Sequence, residues 1–405
     1  MVYLFNSDVT LKATPQLDAF GRLRTSTPQT LFDSQQRFAL DRSFVSNTAS
    51  GGSVTFIPTQ SSANLTVTST NGSFSARESR YVFKYQPGKS QLALLTFVMA
   101  PQSSGNLRQR IGYFGTDNGM YLELSDQLYF VKRSNVTGTV TNTPVAQSAW
   151  NYDTLTGSGP SGISLDQTKA QILFFDMEWL GVGSVRCGFV INGQYVLAHT
   201  FHHANIASSV YITTACLPVR YEIQTIGGSA PATSNLTQIC CSVASEAGYN
   251  EPLTLFSNQA SLSSTSGSWT PVISMRLMPG RLDAISTIKQ VDLALTSAQS
   301  GSVQWAVWSS SNITGATFST PPRNGSIQIA QGGTINVSSS WQLASGLVTV
   351  GGGNATIASL AELGSYFAQI GRDSFTQTSD VTSLAVFGLG STPSGYAVLS
   401  WQELL

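Results

Sequence analysis

Alternation of apolar and polar residues with a period of two recurs along this chain, and it limits the available folds more than any other feature. Examples are the runs "SVTFIPT" (53–59), "QILFFDMEW" (171–179), "QYVLAHTF" (194–201) and "IKQVDLALTS" (288–297). Successive side chains of a strand point to opposite faces, so these runs predict half-buried β-strands. Convincing helical periodicity is nearly absent, and the sequence therefore predicts an all-β fold.

One hairpin is marked with unusual clarity. Asn192 and Gly193 stand between two apolar alternations in "VINGQYVL" (190–197). Both residue types tolerate the positive φ angles that a two-residue hairpin turn requires. The sequence therefore predicts two antiparallel strands joined at these residues.

The length of the chain indicates more than one domain. A chain of 405 residues is too long for one ordinary core, and 41% hydrophobic residues supply material for several. Residues 1–45 are predicted to form an extended N-terminal arm, 46–245 a first β-sandwich or jelly roll, and 246–405 a second. Many short strands at regular spacing are typical of such sandwiches.

The charge balance excludes two classes of partner. The chain has 21 basic and 21 acidic residues and no net charge. It therefore lacks the basic field that attracts nucleic acid or an anionic membrane surface. The longest apolar stretch, Leu92–Ala100, is about half the length needed to span a bilayer. We expect no nucleic-acid partner, no membrane partner and no cofactor.

Charged residues concentrate near the start of this charge-poor chain. The stretch "DAFGRLRTSTPQTLFDSQQRF" (18–38) alternates arginines with aspartates, whereas charged residues make up only 10% of the whole. Complementary charges set register and partner choice at interfaces. We therefore predict that Arg22, Arg24, Arg37 and Arg42 make subunit contacts.

The cysteines do not form a disulfide scaffold. Four cysteines, Cys187, Cys216, Cys240 and Cys241, are too few for a chain of this size. Strand alternation places Cys241 on one face with Ile239 and Val243, and Cys240 on the other with Gln238 and Ser242. Cys240 is therefore the predicted exposed thiol, and either four free thiols or an intermolecular disulfide through Cys240 fits this pattern.

The three histidines of the chain fall in one run, "HTFHH" (199–203). Such a cluster suggests a metal site, but strand geometry puts His199 and His203 roughly 13 Å apart and turns His202 to the opposite face. We therefore predict no metal site.

The best enzymatic candidate is a pair of carboxylates, Asp176 and Glu178, at i and i+2 of one predicted strand. Sandwich glycosidases use an acid and a nucleophile on one strand, about 5–5.5 Å apart when they retain configuration. Such a strand usually carries a third acidic residue, and here Leu180 and Val182 occupy the following positions. The alternative is a salt-bridged or surface pair, with Phe175 and Met177 in the core. We predict no catalytic residues and keep glycoside hydrolysis as an alternative.

Aromatic residues offer a second kind of site. Their rings can stack on sugars, although strand aromatics more often belong to a core. Trp150 and Trp179 are the candidates in the first sandwich, and Tyr152, Trp305 and Trp308 are further ones.

Two stretches resemble a family of virion structural proteins from tailed bacteriophages. The first is the charged stretch 18–38. The second is "MEWLGVGSVRCGFVINGQYVLAHTFHHAN" (177–205) followed by "YITTACLPVRYEIQ" (211–224). The resemblance covers about the first 225 residues and only loosely extends to "GRDSFTQTSD" (371–380) and the terminal "SWQEL". It implies a concanavalin-like, lectin-like sandwich for the first domain and brings no catalytic residues.

From these observations we predict a non-enzymatic structural protein of a tailed-phage virion. It would be assembled in the cytoplasm of the host bacterium as a homo-oligomer, with a trimer as the expected symmetry, and then reside in the extracellular particle. Its partners would be other virion proteins of the neck, collar, baseplate or fibre region of the tail. Three alternatives stay open: an adhesin that binds a host-surface glycan, a glycoside hydrolase using Asp176 and Glu178, and a capsid decoration protein or head fibre.

Overall fold

The computed structural model of the chain is all-β, as the sequence predicts. It describes residues 27–101, 105–228, 232–247, 254–296, 302–319, 325–349, 355–357, 368–390, 392 and 394–404. Two single-turn 3₁₀ helices, Pro58–Gln60 and Gln147–Ala149, are the helical elements of these residues. In this part of the chain, no helix has the length and apolar character to cross a membrane.

The chain divides into two compact units. The first comprises residues 1–79 and 83–249, and the second comprises residues 80–82 and 250–405. We refer to each unit as a domain.

The first domain is built from two antiparallel sheets. Sheet 1 has the strand order β13-β12-β11-β6-β15-β4-β3, with β1 also paired to β15, and sheet 2 has the order β10-β9-β8-β7-β14-β5-β2. The strands are β1 (Pro28–Gln35), β2 (Phe44–Ala49), β3 (Ser53–Ile57), β4 (Ser62–Val67), β5 (Phe74–Ser79), β6 (Gln91–Val98), β7 (Leu107–Phe114), β8 (Gly119–Leu124), β9 (Leu128–Ser134), β10 (Thr141–Ala146), β11 (Gln171–Met177), β12 (Val185–Ile191), β13 (Gln194–Phe201), β14 (Val219–Thr225) and β15 (Ser234–Glu246).

Aromatic side chains fill the space between these two sheets. Phe130 of sheet 2 lies 6.0 Å from Phe175 and 6.2 Å from Phe189 of sheet 1, measured between ring centroids. All three rings are almost completely buried. Each buried side chain of this size contributes roughly 1.5–3 kcal/mol to the free energy of folding. The core therefore lies between the sheets, as in a β-sandwich.

The predicted hairpin at Asn192 and Gly193 is confirmed. The two residues have φ angles of 53° and 74° and connect β12 to β13, with Ile191 opposite Gln194. Glycine meets the second positive φ without the steric cost that a Cβ would add.

The predicted arm differs from the structure in its second half. Strand β1 pairs along β15, from Pro28 opposite Glu246 to Gln35 opposite Cys240. Phe32 has no exposed surface and stacks on Phe83 with 4.8 Å between centroids. Because a completely buried aromatic ring anchors this segment, the chain is part of the sandwich from Pro28 onward. Charge density had suggested a separate arm through residue 45.

A β-bulge in β15 changes which side chains share a face near the adjacent residues Cys240 and Cys241. The register between β15 and β6 shifts between Gln238 and Cys241. Gln238 is therefore completely buried, whereas Ile239 is half-buried. Cys241 and Val243 face the core as predicted, but Ile239 does not share their environment, because the extra residue breaks the period of two.

In the described part of the chain, the second domain has a similar design with fewer strands. Sheet 3 has the order β16-β28-β18-β24 and sheet 4 has the order β21-β17-β27-β19-β23. Two further two-stranded sheets pair β20 with β22 and β25 with β26. The strands are β16 (Thr254–Ser263), β17 (Trp269–Leu277), β18 (Ile285–Leu295), β19 (Ser302–Ser309), β20 (Asn312–Thr314), β21 (Ile327–Gln331), β22 (Thr334–Asn336), β23 (Trp341–Thr349), β24 (Ala355–Ile357), β25 (Arg372–Asp373), β26 (Thr378–Ser379), β27 (Val381–Leu389) and β28 (Ser394–Leu404).

The core of the second domain joins residues from sheets 3 and 4. Ile288, Leu399 and Trp401 come from sheet 3, whereas Trp305 and Leu384 come from sheet 4. The indole N–H of Trp401 donates to Glu403 over 2.7 Å, so its one polar atom is satisfied inside the core. The two-sandwich prediction of fold class is thus confirmed.

Candidate functional site

Asp176 is enclosed in sheet 1. The residue is 1% exposed and lies opposite Arg186 in the pairing of β11 with β12. One carboxylate oxygen forms an ion pair with Arg186, and the other accepts a hydrogen bond from the Ser90 hydroxyl. A carboxylate held on both oxygens inside a sheet contributes to cross-strand pairing, and in this structure it has no surface for a sugar to approach.

Glu178 follows the end of β11 and is also buried, with no exposed surface. Its backbone N–H donates to the Ser184 carbonyl over 3.3 Å, which closes the turn between β11 and β12. Phe175 and Met177 face the core. Asp176 therefore matches the salt-bridged alternative, and glycoside hydrolysis by the pair stays an alternative prediction.

The histidine run separates into three different environments. His199 accepts a hydrogen bond at Nδ1 from the Asn151 N–H over 3.4 Å, and His203 donates from Nδ1 to the Gly183 carbonyl over 2.7 Å. His202 is exposed, and its ring contacts the Ser184 hydroxyl at 3.1 Å. Burial, with the nearby His202 adding to it, lowers the pKa of His199 to about 4, and burial likewise lowers the pKa of His203 to about 4. Both buried rings are therefore neutral at pH 7.

The two predicted stacking tryptophans of the first sandwich are occupied by protein contacts. Trp150 is 5% exposed, packs on Phe130 at 4.5 Å, and donates to the Val145 carbonyl over 3.2 Å. Trp150 therefore belongs to the core and does not present a face to a sugar. Trp179 is half-buried, donates to the Ile212 carbonyl over 3.3 Å, and meets Tyr85 edge-on at 5.9 Å.

The arginines predicted to make subunit contacts fall into two groups. Arg22 and Arg24 lie outside the described residues. Arg37 and Arg42 are exposed in the turn that connects β1 to β2, where the Arg37 guanidinium lies 5.1 Å from the Phe38 ring centroid. Phe38 is itself 82% exposed. This turn presents positive charge and one aromatic ring to solvent.

The four cysteines are free, and Cys240 is half-buried on β15. Burial raises the pKa of the Cys240 thiol, which reduces the thiolate that would attack a disulfide partner. Burial raises the pKa of Cys187 and Cys241 well above its ordinary value. Cys240 is more accessible than these two buried thiols, and an intermolecular disulfide through it stays a prediction.

Comparison with known proteins gives matches among solved structures at low identity and low TM-score. A scan against protein-family models gives no match, and no curated protein matches the sequence. Among solved structures, an endo-1,3-β-glucanase from Streptomyces sioyaensis has 11% identity and a TM-score of 0.37, over 55% of this chain and 97% of that one. A β-glucanase from Bacillus licheniformis has 13% identity and a TM-score of 0.34, over 53% and 98%. A seed lectin from Lotus tetragonolobus has 11% identity and a TM-score of 0.33, over 55% and 99%. At these values the likeness transfers no function to this chain.

The outer face of sheet 2, which points away from the core of the first domain, carries a row of alternating charges. Glu222 of β14, Arg110 of β7 and Glu123 of β8 lie side by side across three neighbouring strands. Arg110 contacts Glu222 at 3.3 Å and Glu123 at 2.6 Å. Arg220 continues the network, with contacts of 2.7 Å to Glu222 and 3.0 Å to Glu78. Opposite charges directly across a sheet stabilise the pairing of its strands.

An aromatic pair lies within these charges. Phe114 and Tyr121 have no exposed surface, and their ring centroids are 4.5 Å apart. The Arg133 guanidinium lies 5.3 Å from the Phe114 ring and 5.2 Å from the Tyr121 ring, and Arg220 lies 5.6 Å from Phe114. Cations at this distance from an aromatic face are attracted by its quadrupole. We call this set of residues the charged face; its members are Glu78, Arg110, Phe114, Tyr121, Glu123, Arg133, Arg220 and Glu222.

Electrostatics explain why Glu222 stays ionised although it is buried. Burial alone would raise the pKa of Glu222, but Arg220 and Arg110 outweigh burial and hold that pKa below its ordinary value. Burial lowers the pKa of Arg133. A buried carboxylate paired with two guanidinium groups remains charged at neutral pH and is no proton donor.

Sequence reasoning missed most of this face. It singled out Arg220 and Glu222 only through the family resemblance, and it did not connect them with Glu78, Arg110 or Glu123. These partners come from β5, β7 and β8, so only strand order brings them together. The alternation of "VRYEIQT" in β14 was the available signal. Within the described part of the chain, no group of three or more His, Cys, Asp or Glu residues is arranged to hold a metal ion.

Proposed function

We propose that this protein is a non-enzymatic structural component of a tailed-phage virion and assembles as a homo-oligomer. The observation that carries the proposal is where the residues of the family resemblance lie. Residues of the stretches 177–205 and 211–224 form turns, close glycine contacts and buried ion pairs of the first sandwich. Their positions are those of residues that hold a rigid shape.

The turn between β11 and β12 is the first of these positions. The Gly183 N–H donates to the Trp179 carbonyl over 2.7 Å, and Leu180 and Gly181 adopt φ angles of 37° and 78°. A Cβ on Gly183 would lie 1.8 Å from the Glu178 carbonyl oxygen, so only glycine fits there.

Two later residues hold that turn in place. His203 bonds to the Gly183 carbonyl, and the Tyr211 N–H donates to the Gly181 carbonyl over 2.9 Å. The His203 and Tyr211 rings stack with 3.8 Å between centroids and 6° between planes. The His203 ring thus contributes a hydrogen bond and a stacking contact to this turn.

Buried ion pairs are the second kind of position. Arg186 is paired with Asp176, and Arg220 with Glu222 and Glu78. Removing one partner from a buried ion pair lowers the stability by much more than the intact pair contributes to it. These residues therefore favour one arrangement of strands. A particle component that must keep its shape outside a cell benefits from such specification.

Assembly would use the start of the chain and the β1–β2 turn. Arg37 and Arg42 in this turn are exposed, and Arg22 and Arg24 precede β1 in the sequence. A basic, partly aromatic contact of this kind favours a neighbouring acidic surface. A closed ring or trimer of identical chains is the expected symmetry.

Light scattering coupled to size-exclusion chromatography tests the oligomer. A trimer would have about three times the 43.1 kDa mass of the chain. The protein should also be recovered in fixed stoichiometry from purified, nuclease-treated particles by mass spectrometry. A monomer at high concentration that is absent from washed particles would contradict the proposal.

A truncation tests the role of the N-terminal residues. Deleting residues 1–26 removes Arg22 and Arg24 but keeps β1, whereas a deletion to residue 42 would also remove the buried Phe32. We expect the shorter deletion to fold and to lose incorporation into particles. Asp176→Asn is the matched test for catalysis: hydrolysis of envelope polysaccharide by the parent chain and its loss in this variant would make the protein an enzyme.

A further inference from the structure

We infer that the outer face of sheet 4 in the second domain is a binding site for an uncharged glycan. This face points away from the core of that domain, opposite the side that carries Trp305 and Leu384. The inference does not depend on the particle assignment, because it rests on residues of the second domain alone.

Strand pairing places the relevant side chains in successive rows. In one row Trp269 of β17 lies opposite Phe387 of β27, which lies opposite Gln304 of β19. Two rows further along, Trp308 of β19 lies opposite Gln342 of β23. Rows that share a face are roughly 6.6 Å apart along a strand. Trp269 and Phe387 therefore lie at one end of a short stretch of this face, and Trp308 lies at the other end.

Small residues occupy the row between these two. Pro271 lies opposite Ala385, which lies opposite Ala306, and all three are buried. With no large side chain between them, the indoles of Trp269 and Trp308 approach to 5.4 Å between centroids at an angle of 81°. Phe387 lies 5.5 Å from Trp269. The result is a continuous aromatic surface.

The three rings remain partly accessible. Trp269, Trp308 and Phe387 are each of intermediate exposure, whereas Trp305 on the same strand as Trp308 is 3% exposed. A pyranose ring presents a face of C–H bonds, which packs against an aromatic ring and removes apolar surface from water. A partly exposed aromatic surface therefore fits the apolar side of a sugar.

Uncharged hydrogen-bonding groups border the aromatic surface. Gln304 is half-buried between Phe387 and β23, and Gln342 and Ser345 lie on β23, where Gln342 donates to the Ser345 hydroxyl over 2.7 Å. Amide and hydroxyl groups both donate and accept, as sugar hydroxyls do. Placed beside the rings, they supply the polar contacts that fix the orientation of a bound sugar.

Charge decides the class of glycan. Among the outward-facing described residues of β17, β19, β23 and β27, Arg276 alone is charged. Its guanidinium bonds to Gln328 over 2.9 Å and lies 4.2 Å from the Phe318 ring. An acidic sugar would find no other cation among these residues, so the face matches a neutral glycan.

One polar atom on this face lacks a partner. The Trp308 Nε1–H has no hydrogen-bond acceptor within the described part of the chain. An enclosed N–H without an acceptor costs free energy. A sugar hydroxyl that reaches this indole after a small rotation of the ring would supply the acceptor.

An array of neutral and acidic oligosaccharides probed with the full chain, followed by calorimetric titration of the hits, tests the inference. We expect binding to at least one neutral glycan, and at least a tenfold loss of affinity, equivalent to about 1.4 kcal/mol, in Trp308→Ala and in Trp269→Ala. Gln304→Ala should weaken binding less, because it keeps all three rings. Tyr396→Ala is the matched control, since Tyr396 is 47% exposed on sheet 3 and should leave binding unchanged.

Thermal unfolding identifies any variant that has lost its fold, and Gln304→Ala then carries the test without disturbing the rings. A blank array with folded protein would overturn the inference, and so would hits that survive both tryptophan substitutions. Self-association that disappears in Trp269→Ala would assign the face to a second copy of the chain and would also overturn it.

Discussion

The outer faces of sheet 2 and sheet 4 belong to sheets of the same kind but use opposite chemistry. On sheet 2, arginines and glutamates pair with one another and enclose Phe114 and Tyr121, which have no exposed surface. On sheet 4, Trp269, Trp308 and Phe387 stay partly exposed among uncharged groups. The groups of the charged face pair with one another. The outer face of sheet 4, which we call the aromatic face, leaves the rings of Trp269, Trp308 and Phe387 partly available to a partner. We therefore expect the outer face of sheet 2 to stabilise the fold and the outer face of sheet 4 to bind a partner.

The largest expected effect comes from breaking the charged face at its centre. Glu222→Ala should lower the free energy of unfolding by about 3–5 kcal/mol, because Arg110 and Arg220 each lose a partner while remaining buried. Urea unfolding measures the change. Asp126→Ala, at an exposed carboxylate of the same domain, is the control and should change stability by less than about 0.5 kcal/mol. Equal effects of the two substitutions would mean that the network does not stabilise the domain.

A second comparison uses two tryptophans of β19. Trp305→Ala should cost about 3–5 kcal/mol, since Trp305 is 3% exposed in the core of the second domain. Trp308→Ala should cost less than half of that, since Trp308 is of intermediate exposure on the outer face. Urea unfolding of both variants measures the difference. A cost as large for Trp308 as for Trp305 would make the aromatic face a second core instead of a binding surface.

Acid should weaken the first domain selectively. Burial lowers the pKa of His199 and of His203 from the ordinary 6.5 of an unfolded chain to about 4 in the folded protein, so protonation favours unfolding. The contribution of the two neutral rings to the free energy of unfolding is present above pH 6.5 and is lost as the pH falls from about 6.5 towards 4. We expect a loss of roughly 1–2 kcal/mol per ring.

Hydrogen exchange on the full chain at about pH 7 and about pH 5, on either side of the ordinary histidine pKa, measures this effect after correction for the intrinsic exchange rate. Peptides of the first domain should lose protection, while those of the second domain, which has no histidine, should not. The double variant His199→Gln, His203→Gln should remove the difference. Equal loss in both domains would refute the assignment to these rings.

The smallest expected effect on stability concerns exposed arginines. Arg37→Ala combined with Arg42→Ala should change the free energy of unfolding by less than about 0.5 kcal/mol, because both side chains are exposed. The same variant should dissociate the oligomer if these residues make subunit contacts. Light scattering and urea unfolding on one preparation separate the two effects. A folded variant that keeps its oligomeric mass would remove both arginines from the interface.

Local pattern predicted the strands well, because alternation reports directly which side chains a strand buries. "QILFFDM" became β11 with Leu173, Phe175 and Met177 in the core. Asn192 and Gly193 turned the chain where expected because positive φ is a property of those residues alone. Such features depend only on a few residues that are adjacent in the chain, so they can be predicted from the sequence.

Features that depend on distant strands were not predictable in this way. The bulge at Gln238 arises from pairing with β6, which lies far away in the sequence, and it displaced Ile239 from its predicted face. The arginines near the start suggested an arm, but the partner of β1 is β15. Similarly, the sequence names Trp305 and Trp308 as equivalent stacking candidates, and only the arrangement of sheets shows that Trp305 faces the core.

Strand β15 has a consequence for the order of events during synthesis. It pairs with β1, β4 and β6, so three early strands share one partner that is made late. At translation rates of about 5–20 residues per second, roughly 10–40 s separate the synthesis of Pro28 from that of Glu246. During that interval β1, β4 and β6 have unpaired backbone groups, which makes them targets for chaperones and for mispairing between nascent chains. Closure of the first domain is therefore a late, long-range step that should limit its folding rate.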